Sequence, residues 1–178
     1  MNLANEVLKK IKLVQGDITS QEVDAIVNAA NNALNGGGGV DGAIHEAAGP
    51  GLGEECNGLG SCPTGDAKLT KGYNLKAKYI IHTVGPIYGK ENGYEPELLA
   101  KAYKSSLNLA VQKQFKTIAF PSISTGYYGY PKQEAAEIAV KTVSEFLAAH
   151  QEIEEVRFVL YSDANFTIYR DLLSKLNG

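Results

Sequence analysis

A run of four glycines, Gly36 to Gly39, stands directly before an acid and a helical pattern at 40–48. A helix start offers unpaired N–H groups and a partial positive charge, and glycines let an anion approach them closely. The run therefore predicts a phosphate-binding loop. It is not a Walker loop, because no Gly-Lys-Ser/Thr follows, and the GxGxxG fingerprint is missing after the first predicted strand. A flexible linker would also contain such glycines, but linkers are not usually followed at once by a helical pattern.

A second glycine-rich stretch, PSISTGYYGYP at 121–131, carries further donors in Ser124, Thr125 and Gly126. Two such loops suit a diphosphate better than a single phosphate. Lys132 is the one obvious cation beside them in the sequence. Binding must then rely on oriented main-chain dipoles, and we expect its affinity to depend weakly on salt.

Strand and helix patterns alternate along the chain. Short runs of β-branched and aromatic residues predict strands at 11–14, 25–27, 79–84, 117–120 and 156–161. Apolar residues at helical spacing predict helices at 40–48, 96–114, 132–150 and 165–176. This alternation predicts an α/β fold, a three-layer α/β/α sandwich with a mixed, mostly parallel central sheet.

The polar and glycine-rich loops follow predicted strands. Gly16 and Asp17 follow the first strand, the segment 28–39 follows the second, and 122–130 follows 117–120. In parallel sheets ligands bind beyond the carboxyl ends of the strands, so the three loops are expected to line one crevice. The plain alternative is that strand-to-helix turns simply require such residues.

Composition narrows the class of protein. The chain has 178 residues, 44% of them hydrophobic and 21% charged, which predicts a single globular domain, 1–178. The formal net charge is −3 and no Lys/Arg block occurs, so general nucleic-acid binding is not expected. No apolar run approaches the roughly 20 residues that span a bilayer. Most of the 19 glycines lie at 36–39, 49–60, 85–93 and 126–129, which predicts loops there.

The N-terminal residues lack the apolar core of a signal peptide, which predicts a cytoplasmic protein. Cys56 and Cys62 are the two cysteines, and their spacing does not match a metal site. We expect both to be free thiols. A metal shared by His45, His82 and Cys56 has no support from their spacing, so no metal and no cofactor are predicted.

Five motifs occur in order along the chain: GDIT at 16–19, NAAN at 28–31, the segment Gly36–Pro50, HTVGP at 82–86 and PSISTGYYGYP at 121–131. Together they resemble the macrodomain family, and within it the MacroD-like ADP-ribosyl hydrolases. The resemblance covers nearly the whole chain. It implies an α/β/α fold that binds ADP-ribose, removes mono-ADP-ribose from acidic side chains of proteins and deacetylates O-acetyl-ADP-ribose.

The resemblance implies an adenine site at Asp17 and Ile18. The Asp17 carboxylate would accept a hydrogen bond from the adenine amino group, and the Ile18 N–H would meet a ring nitrogen. Alternatively, Asp17 caps a turn. Phe166 could cover the adenine face, and a role in the core or on the surface is about as good an explanation.

The resemblance assigns the two glycine-rich loops to the diphosphate, where Gly126 must leave room for it. The residues implied there are Gly37, Gly38, Gly39, Val40, Ser124, Thr125, Gly126 and Tyr127. Tyr127 also fits a variable, exposed loop position.

The catalytic residues that the resemblance implies are Asn31, Asp41, His45 and Tyr128. Asn31, with Asn28 in support, would orient the distal ribose, and Tyr128 would pack on that sugar. Asn31 can instead satisfy turn backbone. His45 lies one helical turn after Asp41, so it could hold the carboxylate or the ribose, or be a helix residue without a role.

Asp41 lies in the first turn of the predicted helix, where the dipole favours the ionised carboxylate. An acid of this kind is a weak base near neutrality. We therefore favour a positioning role, in which Asp41 and Asn31 fix the ribose and a water while a substrate phosphate oxygen helps to take the proton. Direct base action by Asp41 stays open.

Two other functions fit the same motifs. One is a module that binds ADP-ribose without turnover, which would not need the set Asn31, Asp41, His45 and Tyr128 intact. The other is an ADP-ribose-1″-phosphate phosphatase. No membrane partner is expected, and the protein is expected to be a monomer.

Overall fold

A computed structural model describes residues 3–177, in which strands and helices alternate. The strands, β1 to β6 in chain order, are Ile11–Gln15, Ala25–Ala29, Ala67–Lys71, Tyr79–Thr83, Thr117–Phe120 and Glu155–Leu160. The helices, α1 to α6, are Leu3–Lys9, Gly39–Ala48, Pro50–Leu59, Glu95–Gln112, Lys132–Ala149 and Asp163–Asn177. All the predicted strands and helices are confirmed, with ends within two residues of those expected.

The described residues form one six-stranded sheet in the order β1-β6-β5-β2-β4-β3. Every neighbouring pair is parallel except β3 with β4, which is antiparallel. The mixed, mostly parallel sheet is therefore confirmed. Its parallel strands place the turns after β1, β2, β4, β5 and β6 at one edge.

Alternating side chains of the central strands enter two separate hydrophobic cores. In β2, Ala25 and Val27 belong to one core and Ile26 to the other. The first core includes side chains of α1, α4, α5 and α6, and the second includes side chains of α2 and α3. Because strand side chains alternate with a period of two, both faces of the sheet are covered, which gives the three-layer α/β/α sandwich.

The prediction of a loop at 49–60, made from its glycines, is wrong for most of the segment, because Pro50–Leu59 forms helix α3. Pro50 occupies the first turn, and Leu52 and Cys56 are completely buried. A Cβ at Gly51 would lie 2.9 Å from the Tyr73 ring, so glycine permits this packing. Burial against the sheet outweighs the poor helix propensity of glycine. The edge strand β3 and the helix α1 were not predicted either.

Among residues 3–177, no helix is long and apolar enough to cross a membrane. This finding agrees with the lack of a long apolar run in the sequence.

Candidate functional site

Two adjoining cavities lie at the carboxyl ends of the parallel strands, with volumes of about 220 and 540 Å³. They share four lining residues, Gly39, Val40, Ser122 and Gly126, so they form one continuous cleft. The loops after β2 and β5 meet between the two cavities. The expected crevice is therefore present at the predicted edge of the sheet.

The cleft brings together most of the residues expected at a ligand site. The smaller cavity is lined by Asn31, Gly37, Gly38, Gly39, Val40, Asp41, Ser124, Gly126, Tyr127 and Tyr128. The larger cavity is lined by Asp17, Ile18, Gly39, Val40, Thr125 and Gly126. Three expected residues, Asn28, His45 and Phe166, line neither cavity.

The start of α2 forms one wall of both cavities. The helix begins at Gly39, with Gly38 as N-cap, and no side chain caps it in the described chain. The amides of Gly39, Val40 and Asp41 therefore have no acceptor within the helix and are available to a ligand. Gly39 adopts φ +58°, a conformation that favours glycine. The wall thus offers N–H groups and a positive dipole end to an anion.

The second glycine-rich loop faces this helix start. Ser124 is buried and adopts φ +68°, and its Oγ has no hydrogen-bond partner within the described residues. A Cβ at Gly85 would overlap Ser124 and Ile123, so glycine after β4 allows the loop to pack closely. A buried hydroxyl without a partner is costly unless a ligand or water satisfies it.

The cleft is poor in charged groups. Asp17 and Asp41 are the charged residues of its lining, and among residues 3–177 no lysine or arginine lines it. Lys132, the nearest cation in the sequence, begins α5 outside the cleft. An anion bound here would be held by main-chain and side-chain dipoles.

Asp41 is buried, with 6% of its surface exposed, and contacts two polar side chains. Asn28 Nδ2 donates to Asp41 Oδ1 at 2.8 Å, and His45 Nε2 lies 3.4 Å from the same oxygen. A Cβ at Gly37 would lie 3.5 Å from the other oxygen, Oδ2. Gly37 and Asp41 both line the smaller cavity, and Oδ2 lies on the Gly37 side of the carboxylate.

Asn28 and His45 therefore act behind the cleft rather than in its wall. Asn28 is fully buried on β2, and its amide nitrogen also lies 3.1 Å from His82 Nδ1. Burial, with a smaller contribution from His45, lowers the pKa of His82 to about 3, so the His82 ring is neutral. His82 lies in β4, within the strand predicted at 79–84.

Asn31 lines the smaller cavity but uses its side chain to shape the glycine-rich loop. Its Nδ2 donates to Asn35 Oδ1 at 2.8 Å and to the Gly36 carbonyl at 2.9 Å. Its Oδ1 accepts from the Asn35 N–H at 3.3 Å. The alternative role, satisfying turn backbone, is thus present in the structure, and it holds the loop beside the α2 N-terminus.

The two neighbouring tyrosines of the second loop differ in burial. Tyr127 is 95% exposed, and a Cβ at Gly38 would lie 3.5 Å from its ring, so it lies across the glycine-rich loop. Tyr128 is half-buried. Burial, and then the nearby Asp41 and Glu91 carboxylates, raise the pKa of the Tyr128 phenol, which keeps it neutral.

At the far end of the cleft, Asp17 caps the short 3₁₀ turn Ile18–Ser20. Its Oδ1 accepts from the Thr19 N–H at 2.9 Å and from the Thr19 hydroxyl at 2.7 Å. The capping alternative is therefore realised. Asp17 also lines the larger cavity.

Phe166 is not brought to the larger cavity. It packs partly buried against the core formed by α1, α4, α5 and α6, because α6 docks that face on the sheet. Its neighbour Asn165 lines the cavity instead, and Asn165 Oδ1 is buried without a partner in the described part of the chain. The structure thus favours the core role for Phe166.

Other lining residues were not named individually from the sequence, although Ala29, Ala30, Ser122 and Ile123 lie within the loops expected to line the crevice. Most of them lie at the carboxyl ends of strands or in the turns that follow: Ala29, Ala30, Gly85, Pro121, Ser122, Ile123, Val159, Leu160, Tyr161 and Ser162. Two others, Ala43 and Asn165, lie on α2 and α6. The same rule about carboxyl ends of parallel strands, applied to the residues after β6, would have found Tyr161 and Ser162.

Among the residues described, no group of three or more His, Cys, Asp and Glu side chains could hold a metal ion. His82 uses one ring nitrogen toward Asn28 and the other toward Thr70. Cys56 and Cys62 are buried free thiols, as expected. Burial, with help from Asp41 and Glu55, raises the pKa of Cys56 to about 11, so it remains protonated.

The three-layer fold and the glycine-lined cleft define an α/β/α protein whose ligand site lies beyond the carboxyl ends of parallel strands. Residues 27–139 match the family model described as Macro domain. The chain belongs to the macrodomain family.

Several relatives carry functional names. The chain is 53% identical over 169 residues to the human ADP-ribose glycohydrolase MACROD2, covering 94% of this chain and 40% of that protein. It is 52% identical to the O-acetyl-ADP-ribose deacetylase of Escherichia fergusonii, covering 93% of this chain and 96% of that protein. The crystal structure of the Trypanosoma brucei macrodomain in complex with ADP-ribose superposes with a TM-score of 0.91 at 41% identity, covering 97% of this chain and 72% of that one.

Proposed function

We propose that this protein is a hydrolase that binds ADP-ribose, removes mono-ADP-ribose from acidic side chains of proteins and deacetylates O-acetyl-ADP-ribose. One observation carries the proposal: Asp41 and the free amides at the start of α2 line the same small cavity. A diphosphate held by those amides brings its attached sugar next to the carboxylate. The names of the two relatives supply the chemistry expected there.

In the proposed complex the ligand spans both cavities. The adenine occupies the larger one near Asp17 and Ile18, and the diphosphate lies at the shared wall between α2 and the second loop. The distal ribose then enters the smaller cavity, between Asp41 and Tyr128. The volumes fit this division, because the larger cavity takes the larger, flat ring system.

The proposed chemistry is hydrolysis of the ester that links the distal ribose to an acyl group. Water supplies a hydroxyl to one product and a proton to the other. Asn28 holds Asp41 Oδ1, while Oδ2, on the Gly37 side, orients the water and a ribose hydroxyl. A substrate phosphate oxygen helps to take the proton. Tyr128, a neutral phenol, packs on the sugar.

We further propose that this hydrolysis needs no metal. The donor set supports this, since the described residues group no three metal-ligating side chains. Dialysis against a chelator is expected to leave turnover unchanged, and restoration of lost activity by a divalent cation would contradict it.

We also propose that the protein works in the cytoplasm as a monomer. The two buried free thiols support a reducing compartment. Thiol titration of protein taken from cells would test the first statement, and sedimentation at micromolar concentration the second.

The test compares three substrates: a glutamate-linked ADP-ribosyl protein, O-acetyl-ADP-ribose and ADP-ribose-1″-phosphate. Wild type is expected to turn over the first two. Asp41→Ala is expected to lose about 100-fold or more in kcat while binding ADP-ribose within about threefold of wild type. Glu46→Ala changes an exposed acid of the same helix and is the matched control.

Each contrary result has a meaning. Binding without turnover of any substrate would support an ADP-ribose-binding module. Turnover of the 1″-phosphate alone would support a phosphatase. Equal losses of affinity and rate in Asp41→Ala would show that Asp41 contributes to binding and not specifically to the transition state.

A further inference from the structure

A chain of buried hydrogen bonds runs behind Asp41 across three adjacent strands. The chain runs from Thr70 on β3 through His82 on β4 to Asn28 on β2. Asn28 in turn donates to Asp41 on α2, where the chain ends. Asn28 and His82 are direct partners in the register of β2 and β4. Thr70 and His82 are 1% exposed and Asn28 is fully buried. Water therefore does not compete for these bonds.

The direction of each bond follows from the groups involved. Asn28 Nδ2 carries two hydrogens and contacts two acceptors, Asp41 Oδ1 at 2.8 Å and His82 Nδ1 at 3.1 Å. His82 Nδ1 must then be bare, because a hydrogen there would point at the Asn28 NH₂ group. The neutral ring therefore carries its hydrogen on Nε2.

The other end of the chain selects the same tautomer. His82 Nε2 lies 2.8 Å from Thr70 Oγ1, and the Thr70 hydroxyl in turn donates to the Lys71 carbonyl at 3.1 Å. Since the single hydroxyl hydrogen of Thr70 is donated to the Lys71 carbonyl, the Thr70 oxygen acts as an acceptor toward the His82 ring. Every donor in the series Thr70, His82, Asn28 thus has an acceptor.

The orientation of the Asn28 amide depends on this series. If the amide turned over, its carbonyl oxygen would face Asp41 Oδ1, and two acceptor oxygens would meet without a hydrogen between them. With the amide in its present orientation, Asp41 Oδ1 accepts from Asn28, and Oδ2 lies toward Gly37 of the smaller cavity. A histidine that served only to fill the core would not need to contact the Asn28 amide, which is the group that donates to Asp41.

We propose that His82, fixed as its Nε2–H tautomer by Thr70, is a positioning residue that acts on Asp41 through Asn28. This inference rests on the proposed hydrolase function for its effect on rate. It assigns a role to β3 and β4, which do not contact the cleft at these residues. The role predicts changes in kcat without changes in ADP-ribose binding.

The first test removes the acceptor for Nε2–H. Thr70→Val keeps the shape of the side chain but not the hydroxyl, whereas Thr70→Ser keeps the hydroxyl and is the matched control. We expect Thr70→Val to lose roughly 10- to 100-fold in kcat, the range for a misdirected hydrogen bond to a charged group. Thr70→Ser should stay within about threefold, and both should bind ADP-ribose like wild type.

A second pair of variants tests the ring itself. His82→Asn places an amide oxygen near the position of Nδ1 and can accept from Asn28, while His82→Leu cannot. Partial recovery of kcat in His82→Asn relative to His82→Leu is expected, with thermal unfolding recorded for both. Equal kcat in the two variants, both folded and both binding ADP-ribose, would overturn the proposal.

The ¹⁵N shifts of the His82 ring give a readout that does not depend on turnover. Wild type should show a protonated Nε2 and a bare Nδ1, and Thr70→Val should gain the other tautomer. A protonated Nδ1 in wild type would overturn the inference even if the enzyme is active. If wild type turns over no substrate, the proposed function fails and the ring shifts alone decide the inference.

Discussion

Gly42 lies directly against the carbonyl oxygen of Gly37, so closely that a Cβ at residue 42 would overlap that oxygen. The contact places the glycine-rich loop on the first turn of α2, where the free amides lie. The loop can pack this closely against α2 because residue 42 has no side chain. The shape of the anion site depends on this contact.

Gly42→Ala is expected to displace the glycine-rich loop and reduce ADP-ribose affinity by about tenfold or more, because the overlapping atom is backbone and cannot swing away. Isothermal titration calorimetry measures the affinity. Gly53→Ala on α3 is the matched control, since a Cβ there meets no atom within 4 Å. That control should bind normally and be stabilised by about 0.5–1 kcal/mol. Normal binding by Gly42→Ala would show that the loop tolerates the displacement.

The affinity for ADP-ribose should change little with ionic strength. No lysine or arginine lines the cleft among residues 3–177, so binding releases few counterions and relies on fixed dipoles. We expect the Kd to rise by less than about threefold between 50 and 500 mM salt, a range that spans most of the screening of exposed charges. A tenfold or larger rise would argue for a cationic side chain at the diphosphate.

Phe166→Ala should reduce stability without changing ligand affinity. Its ring packs against the core beneath α6, so truncation is expected to cost about 1–3 kcal/mol in the free energy of unfolding. Asn165→Ala is the comparison, since Asn165 lines the larger cavity. It should alter affinity more than stability. Urea unfolding and calorimetry of both variants check this. A large loss of affinity in Phe166→Ala would instead support a contact between Phe166 and the adenine.

The free energy of unfolding should decrease as the pH falls below about 6.5, because His82 resists protonation in the folded protein. Its pKa is about 3 in the folded protein and near 6.5 when unfolded, so the folded state disfavours the proton. The contribution of His82 is complete above pH 6.5 and is lost progressively as the pH falls toward 3. Between pH 6.5 and 5 the expected loss is up to about 2 kcal/mol.

The window above pH 5 separates His82 from Glu152, whose lowered pKa acts below its ordinary value of 4.5. Urea unfolding at pH 7 and pH 5 measures the slope, and His82→Asn should flatten it. His150→Gln, which changes a histidine that is not fully buried, serves as the control. The same slope in His82→Asn as in wild type would show that another group is responsible.

Local patterns were enough to predict the central strands and the long helices. In β2, the run at 25–27 is apolar throughout, with β-branched Ile26 and Val27, which is the pattern of a strand buried on both faces of a parallel sheet. The glycine-rich loops could be placed because parallel strands deliver their carboxyl ends to one edge. Helix α3 could not be predicted, since it is rich in glycine, and only the packing of Gly51 against the Tyr73 ring shows why glycine suits one of these positions.

The sequence by itself determined the layered α/β fold and the identity of the loops that meet at the cleft, because alternating periodicities and loop positions are local properties of the chain. Only the tertiary structure decided which side of α6 faces the cavity, and so that Asn165 and not Phe166 lies there. It also decided that Thr70 and His82 are linked to Asp41 by hydrogen bonds through Asn28. Contacts of this kind join residues on different strands and depend on register and docking, which no single segment encodes.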